Sequence, residues 1–158
     1  MQRSLVGSEM CIRDRSEGDA WEKHGTIGAV ARNAAGHVAA GTSTGGITNQ
    51  MPGRVGDSPL PGCGTYAADD SVAVSCTGIG EAFVRSVAAH QIADRVRFAG
   101  QSVQEAAQAA LDDVAARRGD GGVIVMPVSG DGVIAYNSET MNYGYVTTDG
   151  VRVVHGAE

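Results

Sequence analysis

Residues 24–31 read His-Gly-Thr-Ile-Gly-Ala-Val-Ala, so that a threonine lies between a glycine and a run of small and β-branched residues. This run predicts a strand over residues 26–32, a turn over residues 33–36 and a return strand over residues 37–42. The three segments together form a hairpin, and the first residue of that hairpin is Thr26.

Thr26 is the first candidate for chemistry. A threonine hydroxyl within a chain is a poor nucleophile, whereas a chain-terminal threonine can use its own α-amine, with a pKa of about 7.7–8.0, as the general base. Cleavage before Thr26 would free that amine. Gly25 suits such cleavage because glycine leaves room for the hydroxyl to attack the preceding carbonyl. The alternative is that Thr26 is a β-branched residue that merely opens a strand.

A Pro-Gly-Arg-Val-Gly-Asp-Ser-Pro segment over residues 52–59 carries one cation and one anion at close spacing. Arg54 can bind a carboxylate with its planar fork, and Asp57 can hold an ammonium group. The pair is therefore a candidate clamp for a substrate with a free α-amino and a free α-carboxylate group. The alternative is a surface salt bridge of little energetic value.

Residues 77–80 read Thr-Gly-Ile-Gly where a predicted strand gives way to a helix. The hydroxyl of Thr77 and a main-chain N–H at Gly78 would favour negative charge there, which makes them candidates for an oxyanion hole. The alternative, a dinucleotide-binding fingerprint, is weak because Phe83 occupies the place of the third glycine.

The rest of the chain predicts an α+β fold. Residues 71–77 alternate as a strand, and residues 81–99 carry apolar side chains at helical spacing. A capping box at Ser102 starts a second helix that closes at Gly119, and residues 122–137 form a further hairpin. Strands, two helices and then strands indicate a sheet with helices on one face.

Composition sets limits on the class of protein. The chain has 158 residues, of which 42% are hydrophobic, enough for one domain with a core. The formal net charge of −6 argues against a nucleic-acid partner, because no basic stripe is present to neutralise phosphates. No apolar run has membrane-spanning length, so we expect no membrane association. The cysteines are too few and too irregularly spaced for a disulfide framework or a zinc site. A reducing cytoplasm is the expected compartment.

The beginning of the chain needs separate treatment. Residues 4–15 (SLVGSEMCIRDR) look like a translated sequencing-adapter read, and their apolar stretch is too short for a secretory signal. We therefore leave residues 1–15 out of the fold prediction as a non-native segment. Residues 16–25 are interpreted as a polar linker that ends at the cleavage site, and residues 26–158 as a catalytic subunit.

In this order, these segments resemble the β-subunit of the isoaspartyl peptidase / plant-type L-asparaginase family, which are N-terminal nucleophile (Ntn) hydrolases with a threonine nucleophile. A further matching segment is Gly-Thr-Ser-Thr-Gly-Gly over residues 41–46. By the resemblance, its second threonine, Thr44, hydrogen-bonds near Thr26 and helps to activate it. The alternative is a polar strand end that bonds to its own backbone, which we prefer for Thr42. The resemblance covers residues 26–137.

The resemblance implies a four-layer αββα sandwich, of which this chain would supply about half, and autoproteolysis between Gly25 and Thr26. It also implies hydrolysis of β-aspartyl dipeptides and of the side-chain amide of L-asparagine, with Thr77 and Gly78 stabilising the oxyanion. The substrate-binding residues implied in the same way are Arg54, Asp57, Thr77, Gly78 and Gly80.

The resemblance further implies the partners. We expect an α-subunit from the same precursor, in an (αβ)2 heterotetramer, and small-molecule substrates. We expect no cofactor for catalysis and no metal bound by this chain, since the structural sodium of the family belongs to the α-subunit.

Two alternatives stay open. One is a glycosylasparaginase-like amidase, although Gly46 stands where that branch usually carries asparagine. The other is an inactive fragment that binds aspartyl groups but lacks its α-subunit. Residues 61–66 and 136–141 match the family pattern only loosely, so the preferred leaving group is left open.

Overall fold

The computed structural model describes residues 3–8, 24–147 and 150–154. These residues form two antiparallel sheets and three helices, which confirms the mixed α+β class. The elements in chain order are β1 (Arg3–Ser8), β2 (His24–Arg32), β3 (Val38–Ile47), β4 (Thr65–Ala67), β5 (Val72–Gly78), α1 (Gly80–Ser86), α2 (Ala88–Ala99), α3 (Val103–Ala116), β6 (Gly121–Pro127), β7 (Val133–Tyr136), β8 (Tyr143–Thr147) and β9 (Gly150–Val154).

The four-stranded sheet has the order β4-β5-β6-β7 and carries the helices on one face. Val72 and Val74 of β5 belong to the same apolar core as Ile92 of α2 and Leu111 of α3. The predicted alternation of this strand is thereby confirmed, because the intervening Ala73 packs into a different core on the opposite face. Every residue of β6 is buried, as expected for a strand that is covered on both faces.

The five-stranded sheet has the order β3-β2-β1-β8-β9 and packs on that opposite face. The core between the sheets consists of Val30, Ala73, Ile124, Met126 and Met141. Periodicity alone predicted one sheet, but the described residues form two. The β2–β3 hairpin belongs to the second sheet and covers the apolar face of β5 that points away from the helices. On the outer face of the five-stranded sheet, Ile27 and Val146 are 53% and 39% exposed.

The prediction of one continuous helix over residues 81–99 is wrong. The helical segment divides at Val87, which adopts the left-handed conformation with φ 49° between α1 and α2. The N–H groups of Ala89 and His90 donate to the carbonyls of Cys63 and Gly62, so a loop supplies acceptors for the first turn of α2. Both helices still face the same sheet, which is why the apolar periodicity runs through the break without interruption.

Other local predictions are confirmed. Gly100 ends α2 with φ 63°, and Ser102 and Glu105 form the reciprocal capping box that starts α3. The first hairpin is also confirmed, although β3 continues beyond the predicted end at Thr42 to Ile47. None of the helices in the part of the chain described above is both long enough and apolar enough to cross a membrane.

Four strands were not predicted. β4, β8 and β9 lie where the sequence shows no clear alternation, and β1 lies within residues 1–15, which were left out of the prediction. β1 pairs with both β2 and β8. Such pairing uses main-chain groups that almost any sequence can supply. The non-native origin of residues 1–15 therefore stays a prediction.

Candidate active site

Thr26 and Thr44 lie opposite each other in the register of β2 and β3. Thr26 is 7% exposed, and its Oγ1 donates a hydrogen bond of 3.2 Å to Oγ1 of Thr44. The Thr44 hydroxyl also accepts a 3.0 Å bond from the N–H of Gly46. The turn that follows Thr44 therefore holds the Thr44 hydroxyl in place. In that position it accepts the hydrogen bond from the Thr26 hydroxyl.

The backbone is irregular immediately before Thr26. The pairing of β2 with β3 shifts register between His24 and Thr26, because Gly45 and Gly46 of β3 lie opposite the single residue Gly25 of β2, a β-bulge in β3. Among the described residues, a Cβ added at Gly25 would have no neighbour within 4 Å, and Gly25 is exposed. Bulges are common next to active sites because they change the direction of a neighbouring side chain.

The two sheets approach each other closely just beyond this point. A Cβ added at Gly28 would lie 2.0 Å from Oγ of Ser75, so only glycine fits there. Val30 and Ala73 share the interlayer core, and each lies two residues from this contact. Side chains two residues apart on a strand point to the same face. Thr26 lies two residues before Gly28, and Thr77 lies two residues after Ser75. Both therefore lie at the same end of the space between the sheets.

Thr42 differs from its prediction. Its Oγ1 lies 2.6 Å from Oγ of Ser75 and donates a 3.2 Å bond to the carbonyl of Gly64. The side chain therefore does not bond to its own backbone. It connects the two sheets, because it lies on the inward face of β3 directly above polar groups of the other sheet.

The predicted oxyanion residues lie at the end of β5. Thr77 is 7% exposed, and α1 begins at Gly80, as the sequence indicated. Gly78 has φ 139°, and a Cβ there would lie 2.1 Å from the carbonyl of Asp120. Glycine is therefore required at this strand end, where L-residues rarely adopt such a conformation.

Asp57 is buried in a cradle of glycines. A Cβ at Gly64 would lie 2.7 Å from Oδ2 of Asp57, and a Cβ at Gly80 would lie 2.9 Å from its Oδ1. Burial raises the pKa of Asp57 to about 6, while the main-chain N–H groups of Asp57 and Ser58 and the charge of Arg54 act in the opposite direction. Within the described part of the chain, Oδ2 has no hydrogen-bond partner. Buried polar atoms without a partner are rare in folded proteins, which marks this carboxylate as a candidate functional group.

Arg54 lies in the same loop, and its guanidinium is held by Glu81 of α1. Nε and Nη2 of Arg54 donate to Oε1 and Oε2 of Glu81 at 2.7 and 2.9 Å. The hydrogen bond to Glu81 holds the pKa of Arg54 above its ordinary value. Sequence reasoning missed Glu81, although an acidic residue directly after Thr-Gly-Ile-Gly was a visible signal.

Gln50 connects the Arg54 loop with the threonine pair. Its Oε1 accepts hydrogen bonds from the N–H of Ile47 at 3.3 Å and from Nη1 of Arg54 at 3.5 Å. A Cβ at Gly46 would lie 2.0 Å from the same oxygen. The turn that anchors Thr44 therefore also contacts the side chain that reaches Arg54.

Cys63 and Cys76, the cysteines among the described residues, are not candidates for catalysis. Burial raises the pKa of both the Cys63 and the Cys76 thiols, which keeps them protonated and unreactive. Both are free, and they pack as the small core or loop residues that the sequence predicted. Among residues 24–147, no group of three or more His, Cys, Asp and Glu side chains is arranged to hold a metal ion.

Comparison with known proteins gives a consistent result. The family model described as asparaginase matches residues 2–155. The isoaspartyl peptidase of Salmonella typhimurium is 49% identical over 124 residues, which cover 78% of this chain and 40% of that protein. The isoaspartyl peptidase of Escherichia coli is 48% identical over 124 residues, with 78% and 39% covered. The isoaspartyl peptidase/L-asparaginase of Bos taurus is 39% identical over 140 residues, with 88% and 45% covered. The chain thus spans about two fifths of the length of these relatives.

Proposed function

This chain belongs to the asparaginase family, and from that premise we propose that it is the nucleophile-bearing part of an amidohydrolase. Its substrates are β-aspartyl (isoaspartyl) peptides and the side-chain amide of L-asparagine. The observation that carries the proposal is the hydrogen-bonded hydroxyl pair of the buried Thr26 and the exposed Thr44, with 3.2 Å between the two Oγ1 atoms, next to the open main chain at Gly25. The choice of substrates is supported by one relative named isoaspartyl peptidase and another named isoaspartyl peptidase/L-asparaginase.

The first reaction is cleavage of the chain itself. The Thr26 hydroxyl attacks the carbonyl carbon of Gly25, the C–N bond breaks, and the α-amine of Thr26 takes up the proton. Water then hydrolyses the resulting ester, which leaves a new carboxylate on Gly25 and a free hydroxyl and amine on Thr26. The bulge in β3 opposite Gly25 and the open space at Gly25 itself support this step.

The second reaction uses the freed amine as general base. Thr26 Oγ1 attacks the substrate amide carbonyl while its proton passes to the α-amine, and Thr44 holds the hydroxyl in position. Thr77 and Gly78 donate hydrogen bonds to the oxyanion. Collapse expels ammonia from asparagine, or the amine of the next residue from an isoaspartyl peptide. Water then attacks the acyl-enzyme and releases aspartate.

The substrate is held by its α-carbon groups. Arg54 binds the α-carboxylate, and Asp57 binds the α-ammonium in the cradle next to Gly80. The unpartnered Oδ2 of the buried Asp57 supports the second assignment, since a cation beside this carboxylate would offset the cost of burying its charge. Asp57 and Arg54 offer one acceptor and one donor group of opposite sign, which matches the ammonium and the carboxylate of an amino-acid head group.

The chain works with an α-subunit from the same precursor, in an (αβ)2 assembly that completes an αββα sandwich. The exposed outer face of the five-stranded sheet and the limited coverage of the relatives support this. We further propose that catalysis needs no cofactor and that the protein acts in the cytoplasm, which the free thiols of Cys63 and Cys76 support. The names of the relatives favour this function over a glycosylasparaginase-like amidase.

The test uses the full-length protein that carries this chain. Release of aspartate from L-asparagine and from a β-aspartyl dipeptide is measured for the wild type, Thr26→Ala and Thr26→Ser. The proposal predicts no turnover by the alanine variant and reduced turnover by the serine variant, which keeps a hydroxyl. Turnover by Thr26→Ala at the wild-type rate would overturn the proposal, and so would a wild-type protein that is fully cleaved and inactive on both substrates.

A further inference from the structure

We propose that Glu81 is the positioning residue for Arg54, because it holds one edge of the guanidinium so that the other edge faces the α-carboxylate of the substrate. The inference rests on the proposed function and deepens it by naming the residue that sets how the carboxylate is recognised. Glu81 does not contact the substrate in this account.

The geometry of the pair carries the inference. Glu81 accepts from Nε and Nη2 at 2.7 and 2.9 Å, the parallel two-bond arrangement that fixes a guanidinium in one plane. The Arg54 side chain is 14% exposed and that of Glu81 is 54% exposed. Glu81 therefore contacts the guanidinium from the solvent side, while most of the Arg54 side chain is covered. Such a pair differs from two fully exposed charges, which contact each other only part of the time.

The second edge of Arg54 remains available. A guanidinium has five N–H donors in a fixed fork, and Glu81 uses two of them on the Nε–Nη2 side. Among the described residues, Nη1 is bonded to Gln50 at the long distance of 3.5 Å. A Cβ at Gly56 would lie 3.4 Å from Nη1 and 3.8 Å from Nη2, so glycine at this position keeps that edge uncovered.

Charge explains why positioning matters here. Glu81 already neutralises Arg54, so long-range attraction for a substrate carboxylate is weak. Recognition then depends on directed hydrogen bonds from a guanidinium that cannot rotate. The opposite hypothesis is that Glu81 competes with the substrate for Arg54. The two hypotheses predict opposite changes of KM when Glu81 loses its charge.

The experiment compares Glu81→Gln with the wild type in the full-length protein. The ligands are L-asparagine and 3-aminopropanamide, which is asparagine without its α-carboxylate, measured as a substrate or as a competitive inhibitor. Asp112→Asn is the matched control, since it removes one carboxylate charge from an exposed position on α3 whose partner is Gln108. Glu81→Asp, which shortens the side chain by one methylene, is the second variant.

Positioning predicts that Glu81→Gln raises KM for L-asparagine about tenfold, equivalent to about 1.4 kcal/mol, with kcat within about twofold. Binding of 3-aminopropanamide should not change, and Glu81→Asp should shift KM in the same direction. A lower KM for asparagine would establish competition instead. An equal loss for both ligands would reduce Glu81 to a structural role. Either result overturns the inference.

Arg54→Lys separates this inference from the proposed function. If Arg54→Lys raises KM for asparagine and Glu81→Gln does not, the clamp stands and the positioning role is wrong. If Arg54→Lys leaves KM unchanged, the clamp itself is wrong. Positioning also predicts that Glu81→Gln has little further effect in the Arg54→Lys background, because lysine has no fork to orient.

Discussion

Replacing Asp57 by asparagine should stabilise the protein near neutral pH while it removes substrate binding. Asp57 is 5% exposed, and within the described residues its Oδ2 has no hydrogen-bond partner. Asparagine has the same shape and keeps an oxygen for the N–H groups of Asp57 and Ser58. It carries no charge, so the cost of burying a carboxylate disappears.

The magnitude follows from the pKa. The Asp57 carboxyl has an ordinary pKa of 3.8, and burial raises it to about 6 in the folded chain. Between these pH values the folded state keeps a proton that the unfolded state has lost. The free energy of unfolding therefore falls as the pH rises from about 4 to about 6, by about 3 kcal/mol for this difference, and stays lower above that range. Asp57→Asn should not show this loss.

The assay is the melting temperature of wild type and Asp57→Asn between about pH 4 and pH 8 at constant ionic strength. The variant should match the wild type near pH 4 and exceed it by up to about 3 kcal/mol near pH 8, where each kcal/mol corresponds to about 2–4 °C. A difference that does not change with pH, or a variant that is less stable at neutral pH, would refute the reasoning.

Asp69→Asn is the control with the opposite sign. Hydrogen bonds from the N–H of Val38 and from His37 lower the pKa of the exposed Asp69. That carboxylate contributes stability at neutral pH which is lost as the pH falls. Asp69→Asn should therefore be less stable than wild type near pH 8, and the two should converge in acid.

Four further outcomes are expected. The fall of kcat/KM for L-asparagine with decreasing pH should become about tenfold steeper per pH unit below about pH 6, because protonation of Asp57 then adds to protonation of the Thr26 α-amine, whose ordinary pKa is about 7.7–8.0; a slope that does not change between about pH 5 and pH 7 would contradict this. Gly28→Ala should destabilise by about 1–3 kcal/mol through overpacking against Ser75, and Ser75→Ala should recover part of that loss in denaturant titrations of the double variant. Thr44→Val keeps the shape but removes the hydroxyl, so kcat should fall about 100-fold with little change in KM; an unchanged kcat would leave Thr44 without a catalytic role. Val87→Gly should raise the free energy of unfolding by about 1 kcal/mol, because glycine adopts the left-handed conformation without strain, as a thermal melt can test.

Local rules predicted the elements on either side of the site, whereas the roles of the site residues came from the resemblance. The hairpin around residues 33–36 fixes the register that brings Thr44 opposite Thr26, so the turn position alone was nearly sufficient. Ser102 and Glu105 show a capping box directly in the sequence, and Gly100 ends a helix as glycine commonly does. Each of these features depends on residues within a few positions of one another.

The features that sequence reasoning missed depend on contacts between distant segments. Val87 breaks a helix because loop carbonyls from residues 62–63 cap the following turn, and no local signal marks that position. The cradle of Asp57 requires glycine at positions 64 and 80, because a Cβ at either position would be too close to the Asp57 carboxylate. The sequence around these glycines does not show that contact. Glu81 pairs with a residue 27 positions away, so its role becomes visible once the fold joins them.

The most direct test of the central claim is the N-terminal sequence and intact mass of the purified full-length protein. The account predicts a mature chain that begins Thr-Ile-Gly at Thr26, and an uncleaved precursor for Thr26→Ala under the same conditions. A wild-type precursor that stays intact over several days, or a chain cleaved at another peptide bond, would contradict the assignment of Thr26 as the nucleophile.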